Sequence, residues 1–206
     1  MQDFYRLDPK NGIIGGGGID ARFDWYPIGF AMDGLPPDGP KWGARYKKMV
    51  REYFTRSMYT LAHTTSLPQE SSTITLDPEL KDAWGLPAIR TTFSEHPNDM
   101  KLYGFFMDRC IELLDAAGAK STWEYSLDAP WAVHLLGTCR MGNDPKSSVV
   151  DKFHRAHDVP NLFIVDGSSF VTSGSGQPTE TIQALAFRAA ESIAGMAKRG
   201  EIQKGA

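Results

Sequence analysis

Among the five histidines of the 206-residue chain, His134 has the sequence context best suited to acid–base chemistry. It follows the apolar residues 131–133 and precedes a turn that is bracketed by Gly137 and Gly142. A histidine that ends a strand beside such a turn can accept or donate a proton, because its ordinary pKa is about 6.5. On spacing alone, a hydrogen-bonded structural histidine is the commoner case, so both interpretations stay open.

A second candidate site lies in the last third of the chain. Residues 161–166 are predicted to form a buried strand, which is followed by a loop of small residues that ends at Gln177. Pro178 then begins a predicted helix with Glu180 in its first turn. A helix N-terminus after such a loop offers backbone N–H groups without acceptors and the positive end of the helix dipole. An anionic or electron-accepting ligand would fit there.

Other kinds of site have less support in the sequence. His154 and His157 lie near Asp158 and would make half of a metal site, but no further ligands are nearby, so we predict no metal. The loop around Gly174 and Gly176 lacks the third glycine of a dinucleotide-binding fingerprint. A Gly-x-Ser-x-Gly turn of the hydrolase type is absent from the sequence.

Composition excludes several classes of protein. The 22 Lys and Arg against 25 Asp and Glu give a net charge of −3, without the basic surplus that nucleic-acid binding requires. The two cysteines, Cys110 and Cys139, favour a reducing compartment, so we expect a cytoplasmic protein. Because no apolar run approaches 18 residues and the first residues do not form a signal peptide, we expect neither a membrane span nor export.

The elements that must position these candidates follow from periodicity. Residues 1–40, rich in Gly and Pro, are predicted to form an irregular arm. A helix is predicted from Trp42, with apolar positions that recur up to Leu61, and a second over residues 98–117, with Cys110 on its core face and its apolar stripe on the sheet. Residues 73–76 and 89–93 are predicted strands. We therefore expect an α+β fold, with a mostly antiparallel β-sheet flanked by helices.

Three motifs stand in a fixed order: His-Leu-Leu-Gly-Thr-Cys-Arg-Met-Gly at residues 134–142, Asn-Leu-Phe-Ile-Val-Asp-Gly-Ser at 161–168, and Gln-Pro-Thr-Glu-Thr-Ile-Gln-Ala-Leu at 177–185. In these motifs the chain resembles the C-terminal part of the glucose-methanol-choline (GMC) oxidoreductases. Residues 75–87 and 94–99 look like the bacterial dehydrogenase branch. The resemblance implies a substrate-binding α+β domain over residues 41–145, and a segment over 146–206 whose strand and helix complete a flavin-binding domain.

The resemblance also implies a chemistry. In this family, flavin adenine dinucleotide (FAD) accepts hydride from an alcohol carbon while an active-site histidine takes the hydroxyl proton. His134 falls on the position of that histidine, and Gln177 falls on the second active-site position, where the family usually has Asn or His. The implied flavin contacts are Asp166, Gly167, Ser168, Gln177, Pro178 and Thr179. For Asp166, a carboxylate that caps local N–H groups of a turn is the alternative.

The family's main dinucleotide fingerprint lies near its N-terminus, and this chain does not contain it. The resemblance therefore implies two partners, an alcohol or sugar substrate and a flavin-binding segment or separate chain, and we expect that this chain alone does not hold FAD. Two alternatives remain. The chain would be a non-catalytic fragment or assembly module that docks a flavin-binding chain, or an independent sugar-binding domain.

Overall fold

The computed structural model describes residues 1–6, 10, 12–124 and 134–202. The chain divides into two compact units, one of Met1–Thr64 and Lys101–Trp131 and the other of Thr65–Met100 and Ala132–Ala206. The described residues form four α-helices and four strands, and the strands make two separate antiparallel pairs. The predicted mixed α+β class is confirmed, but two small sheets stand in place of one larger sheet.

The first unit is built on strands β1 (Gly17–Arg22) and β2 (Tyr59–Thr64), which pair with Gly17 opposite Thr64. Helices α1 (Pro27–Asp33) and α2 (Gly43–Tyr53) lie between them in the sequence. Most of helix α3 (Pro97–Ala116) belongs to this unit and packs its apolar stripe on β1. The resulting core consists of Ile19, Leu102, Phe106 and Cys110.

The glycine run at residues 15–18 enters strand β1, so the prediction of irregular backbone is wrong at this point. A Cβ atom on Gly16 would lie 2.4 Å from the carbonyl oxygen of Phe4, and one on Gly17 would lie 2.8 Å from the Phe106 ring. Glycine within a strand commonly marks such a close approach by a neighbour. The run therefore serves packing, which the sequence pattern alone does not reveal.

Two helix predictions have different outcomes. Helix α2 ends at Tyr53, and Leu61, which the helical spacing included, lies in β2 instead. Helix α3 matches its predicted range closely, and Gly118 follows it with a positive φ of 85°, as a C-terminal glycine should. Cys110 is a buried free thiol on α3, and desolvation by burial raises its pKa. Its prediction as a core residue is confirmed.

In the second unit, β3 (Thr73–Lys81) and β4 (Pro87–Thr92) form a hairpin, and they overlap the two strands predicted over residues 73–76 and 89–93. Because successive side chains alternate between faces and Leu76 pairs with Ile89, one face carries Ile74, Leu76 and Ile89. These three side chains are 55%, 66% and 74% exposed. We call them the apolar hairpin face.

Helix α4 (Thr179–Lys198) belongs to the second unit and buries Ala189 and Met196. Residues 161–166 do not form the predicted buried strand. They make single backbone contacts with residues 154–156, including an isolated bridge between Arg155 and Phe163, and Val165 stays 38% exposed. Among the described residues, only the short segment 154–156 pairs with them, and this pairing is too short to form a continuous strand.

None of the helices in the described ranges has the length and apolar character needed to cross a membrane.

Replacing Phe106 with Ala tests the core of the first unit. The ring is 1% exposed, and removing a buried Phe ring costs about 3–5 kcal/mol of unfolding free energy. We expect a loss in this range in urea unfolding. The matched change Phe187→Ala, at a side chain that is 75% exposed, should alter stability by less than about 0.5 kcal/mol. Equal effects of the two changes would contradict the assigned core.

Candidate functional site

His134 is an exposed residue that begins a loop against the short 3₁₀ turn Gly167–Ser169. Cys139 N–H donates to the carbonyl oxygen of Ser168, and Met141 N–H donates to that of Ser169, both at 2.8 Å. The two segments are so close that a Cβ atom on Gly167 would lie 2.7 Å from Leu136 Cδ2. Residues 131–133, predicted to end a strand at His134, lie outside the described residues.

Further backbone hydrogen bonds extend this pairing away from His134. Gly142 N–H donates to the carbonyl oxygen of Val150 at 2.9 Å, and Ala156 N–H donates to that of Leu162 at 2.9 Å. Segments 139–142, 149–156, 162–164 and 167–169 thus lie side by side, and we call them the backbone platform. Because buried peptide groups need partners, this network fixes a region that has almost no regular secondary structure.

Asp166 caps the turn beneath the His134 loop. Its Oδ1 accepts hydrogen bonds from the backbone N–H of Ser168, at 2.8 Å, and from the Ser168 hydroxyl. The hydroxyl bond, followed by the N–H bond, lowers the pKa of the Asp166 carboxyl below its ordinary value. The carboxylate therefore caps the turn, as the alternative interpretation predicts, while its contact with a flavin stays a prediction. Gly167 is buried beside Leu136.

A buried carboxylate holds the loop between this turn and α4. Asp99, which is 1% exposed, accepts from Ser66 Oγ at 2.9 Å and from Leu67 N–H at 3.1 Å. Ser66 N–H in turn donates to Ser173 Oγ at 2.8 Å, and Ser173 Oγ donates back to the Ser66 carbonyl oxygen at 3.1 Å. Asp99 thus anchors the loop that ends at Gln177. Its only sequence signal is an acidic residue in the first turn of a predicted helix.

The start of α4 is open to solvent. Gln177 and Thr179 are exposed, and Pro178 is half-buried. Pro178 is the N-cap residue and no side chain caps the helix. The first intrahelical bond runs from Ile182 N–H to the Pro178 carbonyl oxygen, so the N–H groups of residues 179–181 have no acceptor within the helix. This helix end can bind an anionic or electron-rich group.

His134 and Gln177 both belong to the second unit, and each is exposed on a loop attached to the 3₁₀ turn. No hydrogen bond joins their side chains in the part of the chain that the structure describes. Both polar groups are therefore available to a ligand. The structure brings the His134 loop to residues 166–168, while Gln177, Pro178 and Thr179 follow residue 168 by nine or more positions.

The histidine pair considered as half of a metal site has other partners. His154 Nδ1 lies 2.8 Å from the Ile164 carbonyl oxygen, and His157 Nε2 lies 2.9 Å from Ser148 Oγ. Within the described ranges, no group of three or more His, Cys, Asp or Glu side chains could hold a metal ion.

Replacing Asp99 with Ala tests the anchor of the Gln177 loop. The change leaves the Leu67 N–H and the Ser66 hydroxyl without their acceptor, so we expect a loss of about 2–3 kcal/mol in urea unfolding. Asp158→Ala removes an exposed carboxylate of the same unit and should change stability by less than about 0.5 kcal/mol. A similar small effect of Asp99→Ala would show that the buried carboxylate is not an anchor.

A titration of Asp166 tests the cap of the turn. A carboxyl whose pKa is lowered by folding contributes stability above its ordinary pKa, and this contribution disappears as the pH falls through the lowered value. Ser168→Ala removes the largest cause of the shift, so the pKa of Asp166 should rise toward its ordinary value, and the turn should loosen at a higher pH. Carboxyl-carbon NMR measures the pKa of Asp166 in the unsubstituted chain and in Ser168→Ala. An unchanged pKa would contradict the assigned hydrogen bond from the Ser168 hydroxyl.

Comparisons with known proteins agree on one family. The sequence profile of the GMC oxidoreductases, C-terminal domain, matches residues 68–186. The 2-methyl-1,2-propanediol dehydrogenase of Mycolicibacterium austroafricanum is 40% identical over 192 residues, which cover 93% of this chain and 35% of that protein. The gluconate 2-dehydrogenase flavoprotein of Pantoea cypripedii is 28% identical, with 92% of this chain and 36% of that protein covered.

Among solved structures, pyridoxine 4-oxidase from Mesorbium loti matches with a TM-score of 0.44 and 24% identity, over 66% of this chain and 30% of that one. The chain spans about a third of the length of the curated relatives it matches. Because the family profile covers more than half of the sequence, the chain belongs to the GMC oxidoreductases and corresponds to their C-terminal domain.

Proposed function

We propose that this chain is the substrate-side half of a flavin-dependent oxidoreductase that acts on the CH–OH group of an alcohol or sugar. The observation that carries the proposal is the backbone platform, which holds the loop of the exposed His134 on the turn that leads to the open start of α4. The names of two relatives, a propanediol dehydrogenase and a gluconate dehydrogenase flavoprotein, support an alcohol or polyhydroxylated donor.

His134 is the base in this proposal. Its imidazole is exposed and has no hydrogen-bond partner in the described part of the chain, so the neutral ring can accept a proton from a substrate hydroxyl. The hydroxyl proton goes to His134. A hydride leaves the carbon that carries this hydroxyl, and that carbon becomes a carbonyl carbon. Gln177 would hydrogen-bond the substrate oxygen through its amide, which is both donor and acceptor.

GMC oxidoreductases are FAD-dependent, and the residues at the start of α4 fit one edge of a flavin. The N–H groups of residues 179–181 lack acceptors within the helix, and the positive helix end favours the negative charge of a reduced flavin. We assign flavin contact to Gln177, Pro178 and Thr179 and to the turn of residues 166–168, in which Asp166 acts through its bonds to Ser168. When bound, the flavin supplies the acceptor for the hydride.

The remaining flavin contacts must come from another segment or another chain in this proposal. The relatives are about three times as long as the part that this chain matches. The apolar hairpin face supports a covering partner surface, because Ile74, Leu76 and Ile89 stay more than half exposed here. An isolated two-stranded hairpin is also marginally stable in water, so further packing would stabilise it.

The second candidate function is a non-catalytic module that docks a flavin-binding chain. The apolar hairpin face favours this function as much as it favours the first. The exposed His134 and Gln177 distinguish the two, because a module that only docks needs neither side chain.

A chimera tests the catalytic proposal, with this chain in place of the matched part of 2-methyl-1,2-propanediol dehydrogenase. We expect 2-methyl-1,2-propanediol or a related alcohol to reduce its flavin without oxygen. His134→Asn should slow flavin reduction by about 10²–10⁴-fold, the usual contribution of a general base. Stopped-flow absorbance of the flavin band measures the rate.

His157→Asn is the matched control, since the His157 side chain bonds to Ser148 Oγ and its backbone N–H donates to the Val149 carbonyl oxygen, and neither partner belongs to the His134 loop. It should leave the rate of flavin reduction within about twofold of the unsubstituted chimera, far below the effect of a lost general base. Full flavin binding with equal rates for His134→Asn and His157→Asn would reject His134 as the base. Flavin binding without reduction by any alcohol would favour the docking module.

A further inference from the structure

His154, a residue with no assigned role, combines an unusual backbone conformation with nearly complete burial. It has a φ of 66°, the left-handed region, and no other non-glycine residue in the described part of the chain has a positive φ. It is also 1% exposed. Non-glycine residues in this region, among which Asn, Asp and His are enriched, persist only where their surroundings hold them.

The turn that contains His154 is built by Asp151. Asp151 Oδ1 accepts from Phe153 N–H at 2.7 Å and from Arg155 N–H at 3.1 Å, and the Asp151 carbonyl oxygen accepts from His154 N–H at 2.9 Å. These bonds fix the chain direction on both sides of His154. The left-handed residue directs its side chain to the segment that leads to the 3₁₀ turn.

Two hydrogen bonds join His154 to that segment. Ile164 N–H donates to the His154 carbonyl oxygen at 3.0 Å, and His154 Nδ1 lies 2.8 Å from the Ile164 carbonyl oxygen. Since a carbonyl oxygen only accepts, Nδ1 carries the proton in this bond. We call the pair of bonds the His154 clamp. Ile164 stands two residues before Asp166, so the clamp acts directly on the start of the turn beneath the His134 loop.

The other ring nitrogen does not contribute to this attachment. His154 Nε2 is buried and has no hydrogen-bond partner among the described residues. The ring is therefore oriented by Nδ1 and by packing alone. Most buried polar side-chain atoms have a hydrogen-bond partner, so a buried histidine usually bonds through both ring nitrogens. Within the described part of the chain, the His154 ring bonds only through Nδ1, the nitrogen that faces Ile164.

We propose that His154 is a positioning residue that sets the 3₁₀ turn, and through it the His134 loop, by clamping Ile164. The bonds from Cys139 to Ser168 and from Met141 to Ser169 transmit the position of the turn to the His134 loop. The significance of the turn rests on the proposed function, but the clamp itself is a property of this chain and needs no flavin.

Two variants separate the side chain from the backbone conformation. His154→Gly keeps the positive φ without strain and removes the Nδ1 donor. His154→Asn also tolerates the left-handed region, and its Nδ2 amide nitrogen occupies the position of Nδ1 on Cγ, so it restores the donor. His157→Asn changes a neighbouring histidine outside the clamp and is the control.

Amide hydrogen exchange of the full chain is the measurement. In His154→Gly, we expect the N–H groups of Ile164, Cys139 and Met141 to exchange about tenfold faster or more, the effect of losing one net hydrogen bond, while those of the α4 interior around Ala189 stay unchanged. His154→Asn should return the three rates to within about twofold of the unsubstituted chain, and His157→Asn should leave them there.

Unchanged exchange at Cys139 and Met141 in His154→Gly would overturn the proposal, as would loss of protection in His154→Asn equal to that in His154→Gly. If His154→Gly does not fold, His154→Asn decides alone, because retained protection supports the clamp and lost protection overturns it. Absence of flavin from the chimera would overturn the proposed function and leave these exchange results standing.

Discussion

Backbone hydrogen bonds between irregular segments are the interaction on which the second unit depends. From His134 to the start of α4, the chain has one three-residue 3₁₀ turn as its regular element. Buried peptide groups there must find partners in neighbouring loops, and the backbone platform provides them. This platform includes the hydrogen bonds from Met141 to Ser169 and from Ala156 to Leu162, and it determines where the His134 loop lies. Side chains such as Asp99, Asp166 and His154 then refine the position of each loop end.

The sequence predicts those elements whose signals are local. Helix α3 has a long apolar stripe and a C-terminal glycine, α4 has a proline at its start, and the hairpin has alternating strands separated by a turn. The failures come from tertiary context. The glycines of β1 look flexible until Phe106 is placed against Gly17, and residues 161–166 look like a buried strand although only residues 154–156 pair with them. The division at residues 40 and 145 stays a prediction.

The candidate site divides in the same way. His134 and Gln177 are predicted from motifs that resemble those of the family, and their roles stay predictions. Asp99 and His154 are not found, because their roles depend on partners 33 and 10 residues away in sequence, Ser66 and Ile164. The sequence offers His154 only as half of a metal site, and its contact with a backbone carbonyl of Ile164 leaves no signal in the type of residue there. Supporting residues of this kind can be identified only from a three-dimensional structure.

Two surfaces of the second unit lack partners among the described residues, one for its polar groups and the other for its apolar side chains. The start of α4 presents N–H groups without acceptors in the helix, which suits an electron-rich group, while the apolar hairpin face presents Ile74, Leu76 and Ile89 to water, which suits an apolar partner. A substrate-side half that completes its site with a flavin-binding part requires both. The proposed function thus uses one surface for the cofactor and the other for the partner.

The proposed function is tested most directly by the visible absorption spectrum of FAD with the chain alone and with the chimera, each after removal of free cofactor. We expect no flavin band to remain with the chain alone and about one flavin to remain per chimera, since this chain supplies only part of the proposed site. A retained, shifted flavin band with the chain alone would contradict the proposed function, because the chain would then hold the cofactor without a partner.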